Sequence, residues 1–257
     1  MINGGKEMEF RRARNAEQKD IRRQQIINMT ARLLEEIGYE KITFTEIGKC
    51  LSFTRINLYH YFANKNDIFL ELLLQDIEEM VQDAENTFSE PVKNCEVFIG
   101  AWTEMMLRHQ RMMALFSITN TVFLKGATHE VHEAYRIRLH ELFQRLERAV
   151  RAALPYFSRT AVSLFVEFEN SYAMTLYPAS MEYKKAQRIE ILEKVGFGTG
   201  HFSPQFSKYL EIILMGLAEN GNLAKERVDF PNLMKTCFFL CQFLFSNNLQ
   251  LVNYKRE

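Results

Sequence analysis

The chain has little of what builds tight turns, disulfide scaffolds or membrane spans. In 257 residues there are eleven glycines, five prolines, four cysteines and one tryptophan. Four cysteines in a chain this long are too sparse for a disulfide framework, and none of their spacings matches a zinc site. Cys237 and Cys241, one helical turn apart, read as buried thiols rather than a redox pair. The longest apolar run, Cys237 to Phe245, is interrupted by Gln242 and falls far short of the ~20 residues that cross a bilayer, so no membrane association is expected. Lys6, Glu7, Glu9 and Arg11 break up the stretch a secretory signal would need, which leads to the expectation of a cytoplasmic protein. The sequence has no G-x-S-x-G, H-E-x-x-H, P-loop or dinucleotide glycine pattern, so neither enzymatic chemistry nor a cofactor is expected. Nor is there an internal repeat or a low-complexity tract, which excludes a solenoid.

Net charge is also lacking, because 32 basic residues face 32 acidic ones. The distribution is uneven, however. Met1 to Lys65 carries twelve Lys and Arg against eight acidic residues, an excess of +4 that the remainder cancels. The excess is small, yet it lies where a phosphate-facing module would need it.

With 47% hydrophobic residues the chain can close a sizeable core. Apolar residues recur every three or four positions in segment after segment, which predicts an all-α fold. Ile26, Met29, Leu33 and Ile37 form one stripe, and Gly38 just beyond supplies a left-handed helix end. Thr43 with Glu46 three residues on makes a capping box, placing a helix start near Phe44. A break follows around Leu51 to Thr54, then a short aromatic segment, Arg55 to Tyr61. Asn64 caps a longer helix with a stripe of Ile68, Leu72, Ile77 and Met80. Further helices are expected over Val92–His109, Arg111–Leu124, His129–Leu154, Thr160–Tyr177, Gln205–Leu217 and Asn232–Gln250, with another over Met181–Val195 and a loop over Gly196–Ser203. Pro91, Pro155, Pro178, Pro204 and Pro231 fall between periodic stretches.

Two short helices joined by a tight turn, the second rich in polar and aromatic side chains, are what a helix-turn-helix requires. Ile47, Leu51 and Leu58 point to a shared small core. That leaves Thr45, Arg55, Asn57, Tyr59 and His60 on faces that can meet DNA. Thr43 sits at a helix N-terminus, where the macrodipole and free N–H groups favour a phosphate, and Lys65 can meet one with its ammonium.

The run TFTEIGKCLSFTRINLYHYFANKNDIF, Thr43 to Phe69, resembles the DNA-binding signature of the TetR family of transcriptional regulators. The likeness centres on Leu58, Tyr59, Tyr61, Phe62, Lys65 and Asp67 and extends back through Ile47 to the helix before Gly38. It covers about a fifth of the chain. Two positions depart from the family habit: Ser52 replaces a turn glycine, and Ile56 replaces a glycine or other small residue. Ile56 either meets a thymine methyl or holds the helix away from the groove.

The resemblance implies an N-terminal three-helix domain with the helix-turn-helix and a larger C-terminal helical domain for dimerisation and ligand control. We place a mobile basic arm at residues 1–17, the DNA-binding domain at 18–65 and the regulatory domain at 66–257. It further implies phosphate contacts from Thr43, Asn57, Tyr59, His60 and Lys65, and base-edge contacts from Thr45, Arg55 and Ile56. Tyr61 and Phe62 read better as core than as DNA contacts. The basic residues Arg11, Arg12, Arg14, Lys19, Arg22 and Arg23 form either an arm along a neighbouring groove or a solvated tail.

Family members pair through their last two long helices. Here Phe206, Leu210, Ile213, Leu214 and Leu217, then Leu233, Cys237, Leu240, Leu244 and Leu251, supply wide stripes, with Ile212 and Met215 lying off the first. Packing one side inward and the other against a second copy gives a homodimer and hence a palindromic double-stranded DNA operator.

Between these ends, Trp102, Met106, His109, Phe116, Asn120, Phe168 and Tyr172 are the candidates to line a small-molecule inducer cavity, with Glu167, Glu169 and Asn170 as further polar groups. Spacing cannot separate a lined cavity from a filled core. His129, His132 and His140 are interleaved with Glu130, Glu133 and Arg136, as on a wet helix face, and no metal is expected. Two modes of control remain open: a small molecule bound among these helices, or a protein partner docked on the larger domain.

Overall fold

A computed structural model describes residues 16–185 and 201–220 of the chain. Among them every regular element is helical. Helix α1 spans Ala16–Ile37 and ends at Gly38, whose positive φ of 76°, with ψ 160°, glycine adopts without a Cβ penalty. A 3₁₀ turn, Tyr39–Lys41, leads into α2 (Phe44–Leu51) and α3 (Arg55–Tyr59). Helix α4 (Lys65–Thr87) follows, capped by Asn64, whose side-chain oxygen accepts from the N–H groups of Asn66 and Asp67. Its stripe of Ile68, Leu72, Ile77 and Met80 is buried, so α4 leaves the N-terminal head and enters the larger helical body.

That body consists of α5 (Cys95–Arg108), α6 (Gln110–Ile118), a π turn (Thr119–Phe123), α7 (Leu124–Gly126), α8 (His129–Ala153), α9 (Arg159–Lys185) and α10 (Phe202–Asn220). Helix α8 lies along α4, while α9 packs on α6, α8 and α10. An aromatic cluster of Phe88, Phe98, Trp102 and Phe165, with neighbouring centroids 5.0–5.5 Å apart, fills the space between α4, α5 and α9. None of the described helices is long and apolar enough to cross a membrane.

Several boundaries differ from the periodicity. Helix α5 starts at Cys95 rather than Val92, because the Asn94 side chain caps it and the Val92 N–H is tied to the Ala153 carbonyl at 3.0 Å. The helix expected over Arg111–Leu124 is interrupted by the π turn. There Thr119 Oγ1 donates back to the Leu115 carbonyl at 3.0 Å, and the extra residue in the turn lets Phe123 face inward, stacked on Phe69 at 5.4 Å. Pro178 does not end a helix: α9 runs through it to Lys185, and so takes in the first residues of the helix expected over Met181–Val195. Proline removes one backbone donor there. Burial of Met174, Tyr177 and Ser180 around it holds the helix on course. Helix α10 begins at Phe202, so the end of the expected loop is helical. Pro204 sits in its first turn, where an N–H would have no partner within the helix.

On α10, Phe206, Leu210 and Leu214 are buried within the chain, whereas Ile212 and Met215 are each 59% exposed. The expected helix over Asn232–Gln250, its stripe and Cys237 with Cys241 lie outside the described residues, as do Arg11, Arg12 and Arg14. Lys19, Arg22 and Arg23 belong to α1, not to an arm.

Candidate nucleic-acid interface

The turn between α2 and α3 is built by two small residues. A Cβ on Gly48 would stand 2.6 Å from the Phe53 carbonyl oxygen, so only glycine lets the chain fold back that closely. The Phe53 N–H bonds to the Gly48 carbonyl at 2.9 Å and closes the turn. Ser52 takes a φ of 56°, the left-handed conformation that the usual family glycine would adopt more easily.

Both short helices are capped by threonine. Thr43 Oγ1 accepts from the Glu46 N–H at 3.2 Å, and Thr54 Oγ1 accepts from the Asn57 N–H at 3.2 Å. The Glu46 carboxylate meets Lys49 Nζ at 2.8 Å, and the Thr43 side chain is exposed. Ile47 and Leu58 are fully buried and Leu51 half-buried between them, which fixes the rotation of α3 about its axis.

That rotation sends Arg55, Ile56, Tyr59 and His60 outward, beside the exposed Thr43 and Thr45 at the start of α2. Ile56, at 71%, is the most exposed large apolar side chain among the described residues, and Tyr59 is 49% exposed. Arg55 Nη2 donates to Tyr59 Oη at 2.9 Å, and the Tyr59 ring leans on Phe44 at 4.8 Å. Asn57 is half-buried. Lys65 is half-buried too: its ammonium lies 4.0 Å over the Tyr39 ring and donates to the carbonyls of Tyr39 and Ile42 at 3.1 and 3.2 Å. Burial lowers its pKa. Two of its three donors therefore brace the 3₁₀ turn, which leaves one for a phosphate.

Some supports of this surface escape sequence reasoning. Arg23 donates to the Tyr61 carbonyl at 2.5 Å, pairs with Glu71 through both its Nε and Nη2, and covers the buried Phe62 ring at 4.2 Å. It clamps α1 to α4 behind α3. Arg22 lies 5.5 Å over Phe53 and bonds Gln25. Phe44 supports Tyr59, and its signal is an apolar residue at the first position of a capped helix.

The ligand candidates have the following surroundings. Trp102 and Met106 are fully buried. Trp102 Nε1 donates to Glu169 at 3.2 Å, and Asn170 donates to the other Glu169 oxygen at 2.8 Å. Burial pushes the Glu169 carboxyl up to about 8. His109 faces Asp83 at 3.0 Å, Phe116 faces Phe143 at 6.3 Å, and Tyr172 stacks on Tyr209 at 3.9 Å. The Phe168 carbonyl accepts from Tyr209, and Asn120 is exposed. An open hollow of about 430 Å³ lies elsewhere, between Glu71, Leu74, Gln75, Glu78 and Glu79 of α4 and Arg138 of α8. Among the described residues no His, Cys, Asp and Glu cluster is arranged to hold a metal.

Residues 26–72 match the family model of bacterial regulatory proteins of the tetR family, and residues 72–220 match that of the tetracyclin repressor-like C-terminal domain. The solved structure of BioQ from Mycobacterium smegmatis superposes with a TM-score of 0.50 at 18% identity, covering 76% of this chain and 97% of that one, a likeness of fold. A TetR/AcrR family regulator from Thermobifida fusca gives a TM-score of 0.48 at 18% identity over 74% and 96%. The nucleoid occlusion factor SlmA of Idiomarina loihiensis is 26% identical over 140 residues, 54% of this chain and 69% of that protein.

Proposed function

The chain belongs to the TetR family of DNA-binding transcriptional regulators, and on that premise we propose that it is a cytoplasmic homodimeric repressor released from a palindromic operator by a small molecule. Its work is binding rather than catalysis. The observation that carries the reading is the outward face of α3, where Arg55, Ile56, Tyr59 and His60 stand clear of a core that fixes their direction.

In this reading Arg55, Thr45 and Ile56 meet base edges, and Thr43, Asn57, Tyr59, His60 and the remaining Lys65 donor meet phosphates. The exposed Ile212 and Met215 on α10 are the apolar surface that a second copy covers. A two-fold pair places two reading helices on half-sites one helical turn, ~34–36 Å, or more apart.

Control by a ligand needs a mechanical link between body and head. Asn64 Nδ2 donates to the Gly126 carbonyl at 3.1 Å, and Asn66 Nδ2 donates to the Val122 carbonyl at 3.3 Å. Arg111 of α6 pairs with Asp76 of α4 at 2.6 Å and reaches Glu35 of α1 at 3.7 Å. A ligand that shifts α6 would move the start of α4 with it. A preference of ~1–3 kcal/mol for the shifted arrangement changes operator affinity by about 5- to 150-fold.

Control by a protein partner is the second reading, favoured by the full burial of Trp102 and Met106 and by the open hollow between α4 and α8. One experiment separates the two. Protein bound to its selected duplex is exposed to the dialysable and the retained fractions of a cell extract while fluorescence anisotropy is followed. Release by the dialysable fraction supports a small molecule, and release by the retained fraction alone supports a partner. Binding to a single half-site as tightly as to a pair contradicts the palindrome.

A further inference from the structure

Arg55 and Tyr59 are the first and last residues of α3, one helical turn apart, and both side chains are exposed. An exposed arginine ordinarily samples many rotamers. Here its Nη2 donates to the Tyr59 hydroxyl at 2.9 Å, and its guanidinium carbon lies 5.5 Å from the Tyr59 ring centroid. Tyr59 is itself held, because its ring rests against Phe44 at 4.8 Å with a 56° tilt and Phe44 is only 7% exposed. The chain of support therefore runs from a buried ring, through an exposed ring, to a charged fork at the surface.

We propose that Tyr59 is the positioning residue for Arg55, holding the guanidinium in the orientation that reads one guanine of the operator half-site. This rests on the assignment of α3 as the reading helix. The hydrogen-bond inventory permits two roles for the tyrosine. Its oxygen accepts from Arg55, and its own O–H remains to donate to a phosphate oxygen. The remaining N–H groups of Arg55 are left for the O6 and N7 acceptors of guanine in the major groove. Fixing the fork before docking lowers the ordering cost of the contact, and a phosphate bound to Tyr59 polarises the bond to Arg55 further. Base reading and backbone contact thus meet at one hydroxyl.

The test uses the full chain, a random duplex pool and one fixed salt concentration, with wild type, Arg55→Ala, Tyr59→Phe and the double variant. Tyr59→Phe keeps the ring on Phe44 and removes only an exposed hydroxyl, and circular dichroism checks that each variant is folded. We expect Arg55→Ala to abolish the preference for guanine at one position of each half-site, a loss of roughly 5- to 150-fold. Tyr59→Phe lowers the preference at that same position about three- to tenfold. In the Arg55→Ala background it changes no base preference. Full retention of the guanine preference in Tyr59→Phe, with Arg55→Ala having lost it, overturns the positioning role and leaves the reading helix intact. An unchanged base profile in Arg55→Ala overturns the assignment of α3 itself.

Discussion

Asn66 donates its side-chain amide to the Val122 carbonyl at 3.3 Å, and through that bond the first turn of α4 hangs from the π turn that closes α6. The same amide group accepts from the Tyr39 hydroxyl at 2.8 Å, so the 3₁₀ turn of the head joins the tie. A Cβ on Gly126 would stand 2.5 Å from Asn66 Nδ2, so a side chain there would displace the Asn66 amide. Around it Phe123 stacks on Phe69, and Tyr39 meets both rings. Head and body share one packed joint.

Asn66→Ala should cost about 1–3 kcal/mol, since it removes bonds from Tyr39 and to Val122 and leaves both partners half-buried. Urea unfolding followed by circular dichroism measures this. A midpoint equal to wild type would mean that the joint contributes nothing.

The α2–α3 turn gives a pair of opposite expectations. Gly48→Ala places a methyl against the Phe53 carbonyl and should destabilise by ~1–3 kcal/mol, because the obstacle is backbone and cannot rotate away. Ser52→Gly relieves a left-handed residue and should stabilise by up to about 1 kcal/mol. Thermal melts of the two variants should move in opposite directions, and shifts of the same sign would contradict the turn geometry.

Glu169 makes stability depend on pH. Its carboxyl titrates near the ordinary 4.5 in the unfolded chain and is pushed up to about 8 in the fold by complete burial. Between those values the folded chain keeps a proton that the unfolded chain has released. Stability therefore falls as pH rises from about 4.5 to about 8, by an amount on the order of a few kcal/mol, and levels off above. Glu169→Gln keeps an acceptor for Trp102 but turns its amide nitrogen toward the Asn170 donor, and it cannot ionise, so its unfolding free energy should be flatter over that window. Parallel curves for the two proteins would remove Glu169 as the cause.

Ile56 is expected to matter for DNA and not for folding. At 71% exposure, Ile56→Ala should leave the melting temperature within a degree or two of wild type, as surface changes do. On the selected half-site, replacing the facing thymine by deoxyuridine removes the methyl group. Wild type should lose affinity on that duplex and Ile56→Ala should not. Equal losses would mean that Ile56 makes no methyl contact.

Features that rest on neighbouring residues could be read from the sequence. Gly38 ends α1, Thr43 starts α2 and Asn64 starts α4, because a cap is a matter of one side chain and the next two or three N–H groups. The helical spacing of Ile47, Leu51 and Leu58, the break between them and the likeness of Thr43 to Phe69 to a known signature place the helix-turn-helix. Long-range features were not legible. Arg23 looks like one more basic residue of a tail until Glu71, 48 positions on, is brought beside it. The π turn interrupts a continuous apolar period because Phe123 stacks on Phe69, a partner no window of sequence contains. Pro178 reads as a stop, yet the burial of Met174, Tyr177 and Ser180 carries α9 through it. The candidates from Trp102 to Tyr172 share a composition that serves a filled core as well as a lined cavity, and spacing does not announce that Trp102 and Met106 are fully buried.

The outward face of α3 should read duplex DNA as one half of a symmetric pair. Selection of bound duplexes from a random pool by the purified chain, at one stated salt concentration, decides the matter. The expected result is an enriched inverted repeat whose half-sites change when Arg55 or Ile56 is replaced by alanine. A pool with no enriched sequence, or one enriched identically by those variants, would contradict it.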